Sequence, residues 1–511
     1  MADVQKFYRK LRSRFYTFCF LLIATLVWAQ TAAQPPQMPV QQPPSAAAAT
    51  TQPAPNQSAG AKQKPQPPGE ARSEPESRIS PQQAQELFRS VDEILKFSSK
   101  DTGLPIKHEV KRRLTSRDEV VAYLHKQMAE DKDARRLQRS ELVLKKFGLL
   151  PRDFDLQSFL VALLREQVAG YYDYKTKTVN LLDWVGVEQQ RPVLAHELTH
   201  ALQDQSFDLE KWMKAGDVDL DKKKQPTWDD IQKDEISTAR QAVVEGQAMV
   251  ALVDYMLMPT GQTILTSRAL VDQLKKGMLV GTGESPEFEN APIFLKEALT
   301  FPYRYGIDFV ADVLTAGGKQ RAFDGEFTNP PRTTRQIMEP KTYLSGEQIP
   351  PMPLPDFQKT FKNYERFDLG AMGEFDVAVL IDQYAGVDAS RKLFPEWRGG
   401  YYYAARPEGD PQGPLGLMYA SRWSSATNAQ KFAAIYAQSI ANRYRHVHEA
   451  DDRRANMSSV ETLSGKHTWL TEDGAVMIEV EGDTVLITES FNQNTTEMLE
   501  EEVFQTAVAK H

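Results

Sequence analysis

The stretch VLAHELTHALQDQ, Val193 to Gln205, carries two of the chain's eight histidines, four residues apart. On an α-helix, residues i and i+4 lie on one face, so His196 and His200 can aim two imidazoles at one point. Glu197 sits beside them, placed to hold a water rather than an ion. The chemistry asks for these residue types. Neutral imidazoles are good zinc ligands, and a carboxylate next to zinc-bound water can take its proton. The flanks Val193, Leu194, Leu198, Thr199, Ala201 and Leu202 are all uncharged. A helix buried under a cleft requires that, whereas a solvated helix would carry Lys and Glu at several of these places. The competing reading is a pair of core-facing histidines without metal.

Zinc needs a third protein ligand. The HExxHxxGxxH arrangement is excluded, because Gln203 and Ser206 stand where its glycine and third histidine belong. Cys19, the only cysteine, lies in an N-terminal apolar run, so the remainder of the chain has no thiol to offer. A carboxylate on a later helix is the other common solution. ARQAVVEGQAMVALVDY (Ala239–Tyr255) supplies Glu245 among Ala242, Val243, Val244, Ala248, Val250 and Ala251. A carboxylate in so apolar a helix is expensive unless it is paired or bound to a cation. Gly246 and Ala248 keep that helix slim enough for a close neighbour. Glu235 and Asp254 are weaker candidates, and a buried salt bridge to Arg240 is the bland alternative for Glu245.

HELTH followed by a glutamate helix resembles the gluzincin class of zinc metallopeptidases. More closely, EQVAGYYD (Glu166–Asp173), AHELTHALQDQ and AVVEG, in that order, resemble secreted bacterial proteins of metallopeptidase type, over roughly residues 140–345. The resemblance implies one Zn2+ per chain held by His196, His200 and Glu245, with Glu197 as general base in peptide hydrolysis. It also implies that the strand ahead of the helix edges the cleft and takes an extended peptide by main-chain pairing. Two departures stand out. The spacing from His200 to Glu245 is long, and Met249 occupies a position where several members carry an aspartate that orients a ligand. Asp204, Gln203 and Gln241 are the candidates to orient the histidines instead. Tyr303 and Tyr305, then Arg304, His446 and His448, are the candidates to stabilise an oxyanion. A non-catalytic binding or scaffold protein of the cell envelope, built on the same fold, is the alternative function.

Around this centre the chain divides by composition. Five basic residues precede the apolar run Phe15–Ala29, the pattern of an export signal over residues 1–29, with an uncleaved membrane anchor as the alternative. Residues 30–78 are rich in Pro, Gln and Ala and read as a disordered tether. Residues 79–350 read as a largely helical, zincin-like domain with a short edge hairpin at Gly170–Asp183 and the catalytic helix starting after Pro192. Residues 360–511 read as a smaller α+β domain, with strands in GGYYYAAR, GPLGLMYASRW, ETLSGKHTWLTED and AVMIEVEGDTVLITES and a helix at 426–444. Its aromatic groups EWRGGYYYAAR and SRWSS fit strand core, or else a groove for substrate or glycan. The fold class is therefore α+β. A net charge of −8 argues against nucleic acid as a partner. A single apolar run argues against an intramembrane enzyme, and the absence of G-x-S-x-G against a serine hydrolase of the α/β type. Peptide or protein is the expected substrate, and the periplasm, envelope or exterior the expected place. The sequence does not fix an oligomeric state.

Overall fold

Ser80-Pro81 opens the first helix, α1 (Pro81–Thr102): the Ser80 hydroxyl accepts from the Gln83 amide and proline takes the first turn. Leu87, Val91, Ile94 and Leu95 are buried at helical spacing, and Gly103, at φ 80°, ends the helix. The computed structural model describes residues 78–120, 122, 131–166, 170–214, 224–280, 285–450 and 461–508. The expected export signal, all but the last residue of the tether and part of EQVAGYYD lie outside the described residues. Beyond α1, Ser116 and Glu119 exchange the two hydrogen bonds of a capping box. Helix α2 (Asp131–Phe147) then ends at Gly148, and Asp155 caps α3 (Leu156–Glu166) by accepting from Ser158 N.

The expected hairpin is one part of a three-stranded sheet. β2 (Tyr171–Asp173) pairs antiparallel with β3 (Thr178–Leu182), and β1 (Lys111–Thr115) adds to β3 in parallel. β2 is an edge. The HELTH helix, α4, spans Val187–Phe207, so it starts six residues before the expected start after Pro192. The reason is Gln190. Its side chain accepts from Leu182 N and donates to the Leu182 and Val185 carbonyls, which fixes the first turn against β3. Proline near a helix start loses a single ladder bond, and here that side-chain clamp offsets it.

α5 (Lys233–Leu257) is buried along nearly its whole length, against α4 on one side and α7 (Ile293–Gln320) on another. α6 (Arg268–Val280) lies between them in sequence and packs on α7. Gly246 of α5 faces Gly306 of α7 so closely that a methyl on either would run into the other helix's backbone. By length and composition alone, residues 233–260 would pass for a membrane span. Protein covers most of that surface here, so the second apolar run belongs to the interior. α7 kinks at Gly318 (φ 70°) and leads into a π-helical turn, Arg321–Gly325.

The C-terminal part carries a seven-stranded antiparallel sheet, so the chain is α+β as expected. Its strands are β4 (Tyr364–Ala371), β5 (Trp397–Pro407), β6 (Gly416–Trp423), β7 (Val447–Glu449), β8 (Gly465–Thr471), β9 (Gly474–Glu481) and β10 (Thr484–Glu489). They lie in the order β4-β5-β6-β10-β9-β8-β7. Helices α8 (Glu374–Ala385) and α9 (Ala426–Arg443) cover one face, with Leu417 and Tyr419 turned toward them. α10 (Gln493–Val508) and Phe357 and Phe361 cover the other, with Tyr401, Tyr403 and Met418 beneath them. Alternate residues thus serve two cores. Trp397, Tyr401, Tyr403 and Trp423 are all buried, which makes these aromatics strand core and removes the groove reading.

Candidate metal centre

α4 presents His196 and His200 one turn apart, and α5 brings Glu245 against them. The two Nε2 atoms stand 3.1 Å apart, and Glu245 Oε2 lies 3.1 Å from that of His196 and 3.5 Å from that of His200. Ligand atoms about 2.0–2.2 Å from a tetrahedral ion are separated by roughly 3.3–3.6 Å, so these three already have nearly that spacing. His196, His200 and Glu245 are buried, and the group could hold a metal ion. Arg240 is not the partner of Glu245. It donates to the Trp212 carbonyl and lies over the Trp212 ring. Glu245 Oε1 is buried with no hydrogen bond from any described residue. A fully buried carboxylate facing two imidazoles, with one oxygen left over, fits a cation better than it fits a packed apolar core.

Electrostatics follow from the burial. Desolvation pushes His196 below the ordinary imidazole value. Burial opposes charge on His200 too, but the Glu245 carboxylate outweighs it and the group is pushed up. Burial would raise Glu245, yet the two histidines hold it below the usual range. Glu197, next to His196, is pushed up to about 8 by burial, which His200 and a backbone N–H only partly counter. That N–H is Tyr172 of β2, 2.8 Å from Glu197 Oε2, while Oε1 has no partner among the described residues.

The other expected residues divide. Gln203 does orient a histidine: its Oε1 lies 2.9 Å from His200 Nδ1. Asp204 does not, because it accepts from the Tyr172 hydroxyl, Lys177 Nζ and Leu209 N. It ties the hairpin to the end of α4, a bond that the i+4 spacing from His200 concealed. Gln241 is buried with its Nε2 unpartnered among the described residues, and no bond joins it to either histidine. Tyr303 is buried with its ring stacked toward that of His196, centroids 6.2 Å apart. Tyr305 packs on Phe301 and under Arg304, whose charge goes to Glu297, so neither belongs to the centre. Glu235 accepts from Thr334, and Asp254 from Ile264 N, which leaves Glu245 as the carboxylate at the histidines. His446 and His448 are exposed in and beside β7.

The family described as a domain of unknown function, DUF8575, matches residues 362–500. That match falls on the seven-stranded sheet and its helices and does not reach His196, His200 or Glu245. No curated protein and no solved structure matches the chain. Sequence reasoning passed over the Tyr172 amide and Gln247. Gln247 lies two residues after Glu245, and a buried amide in an apolar run was the signal.

Proposed function

We propose that this protein is an exported zinc metallopeptidase of gluzincin type that hydrolyses peptide bonds. What carries the reading is the meeting of His196, His200 and Glu245 at near-ligand spacing with a partly unengaged carboxylate, Glu197, beside them. An ion bound there supplies Lewis acidity, polarising a carbonyl and bringing the pKa of water toward about 7. Glu197 is the base. The Tyr172 amide holds Oε2, leaving Oε1 to accept a proton from water, and cationic charge nearby favours the ionised form that burial alone resists. β2, at the sheet edge beside that carboxylate, is the strand along which an extended peptide would lie. The signal-like N-terminus supports export, and the acidic net charge supports a peptide rather than a nucleic-acid substrate.

Metal analysis of the purified protein with a denatured protein as substrate tests this. About one zinc per chain is expected. It should be lost in His196→Ala and Glu245→Ala. It should be kept in Glu197→Gln, with cleavage down by about a hundredfold or more. Zinc retained in Glu245→Ala would remove that ligand. Zinc bound without cleavage of any unfolded protein would favour the scaffold reading.

A further inference from the structure

We propose that a buried hydrogen-bonded chain, the Gln203 and Gln247 amides and the Glu326 carboxyl, fixes which ring nitrogen of His200 faces the metal centre, making Gln247 and Glu326 positioning residues. Gln203 Oε1 meets His200 Nδ1 at 2.9 Å, while its Nε2 donates to the Val244 carbonyl at 3.0 Å and to Gln247 Oε1 at 2.9 Å. Gln247 Nε2 in turn donates to the Ala322 carbonyl at 2.7 Å and to Glu326 Oε2 at 3.1 Å. Gln203, Gln247 and Glu326 are each 0% exposed, so water cannot substitute for a missing partner.

The direction of the chain is set by the two backbone carbonyls. A carbonyl can only accept, so Val244 O requires the NH2 side of Gln203 and Ala322 O requires the NH2 side of Gln247. Flipping either amide would set oxygen against oxygen in a dry interior, at a penalty of several hydrogen bonds. With both amides fixed, Gln203 can show His200 only an oxygen. Nδ1 must then carry its proton, and Nε2 is the atom turned to Glu245 and His196. Ala322 lies in the π-helical turn Arg321–Gly325, a local departure that recurs at functional sites. In this chain an amide relay does the work usually given to a carboxylate on a metal-ligating histidine.

This inference rests on the metal reading, but the two can fail separately. In metal-free protein with 15N-labelled histidine, the His200 Nδ1–H proton is expected to exchange slowly with water. It should be lost to fast exchange in Gln203→Leu and in Gln247→Leu, and kept in Glu326→Gln, which still offers an acceptor. Zinc affinity, measured against a chelator, should fall about tenfold or more in the two leucine variants. An unchanged Nδ1–H signal in Gln247→Leu overturns the relay, whatever Gln203→Leu or the metal does. A wild type that shows the signal, and loses it in the variants, but binds no zinc keeps the relay and removes the metal reading. If Gln247→Leu does not fold, Glu326→Leu against Glu326→Gln reads the far end by the same signal, and equal behaviour of that pair overturns the role of Glu326.

Discussion

Glu235 shows what burial does to a carboxyl that has no ion-paired cation among the described residues. It accepts from Thr334 N at 2.9 Å, is buried beside Gly373, and is pushed up to about 8 by desolvation and then by Asp376. A raised folded pKa means the folded state holds a proton that the unfolded state, near 4.3, releases first. Its stabilising effect is therefore full below about pH 4 and is lost as pH rises through about 8. Glu235→Gln keeps an acceptor for Thr334 without a charge. Urea unfolding at pH 5 and pH 9 should show the variant gaining on wild type by about 1–4 kcal/mol at the higher pH. An equal difference at both pH values would show that Glu235 is not the titrating group. The same physics explains what was legible at this scale. A lone carboxylate in an apolar run had to have a special partner, and Glu245 was found by that rule. Glu326 was not, because its burial comes from how the π-turn packs on α5, which no local pattern records.

At the scale of elements, the spacing of α4 and α5 from their neighbours sets the site. Gly246 and Gly306 bring α5 and α7 into backbone contact next to Glu245. Gly246→Ala raises intrinsic helix propensity by about 1 kcal/mol but places a methyl against the Gly306 carbonyl. Overpacking should win, lowering stability by about 1–3 kcal/mol in a thermal melt and weakening metal binding with it. A more stable variant would mean the helices have room to part. Helices were legible where a cap and an apolar period coincide, as at Ser80-Pro81. The start of α4 was not, since Pro192 suggested a boundary and the clamp that overrides it comes from Gln190 reaching β3. β1 and β4 were missed for a shared reason. Each lies at a sheet edge and carries charge, KRRLT in one and YERFDLGA in the other, and such residues defend an edge while hiding the strand.

Across the whole molecule, the helical and sheet-bearing parts share one apolar core. Phe147 of α2 meets Tyr402 and Tyr419 edge-on, and Phe301 of α7 packs on Phe375 of α8. A buried ionic group pins the same junction. Arg443 pairs with Glu489 at 2.9 Å and donates to the Lys146 carbonyl, while Tyr436 and Tyr444 donate to Glu489. Removing one partner of such a pair strands the other, so Arg443→Met should cost about 3–5 kcal/mol. Calorimetry of wild type should show a single transition, because neither part can let go without exposing the other's core. Two separated transitions would show that the parts fold as independent domains. Composition could mark the proline-rich join near residue 350, but contacts across it are long-range and leave no trace in a window of sequence.

Tyr172 bears on all three scales. Its amide holds Glu197 and its hydroxyl holds Asp204, so one residue of β2 grips α4 at two points seven residues, or about two turns, apart. A helix tethered at one point can still roll about its axis, but a helix pinned at two can neither roll nor slide. His200 lies between the pins, and His196 directly precedes the first. Whatever displaces the short edge strand must therefore release Glu197 at the same moment, and anything that aligns along the strand without displacing it locks the azimuth of the whole cluster.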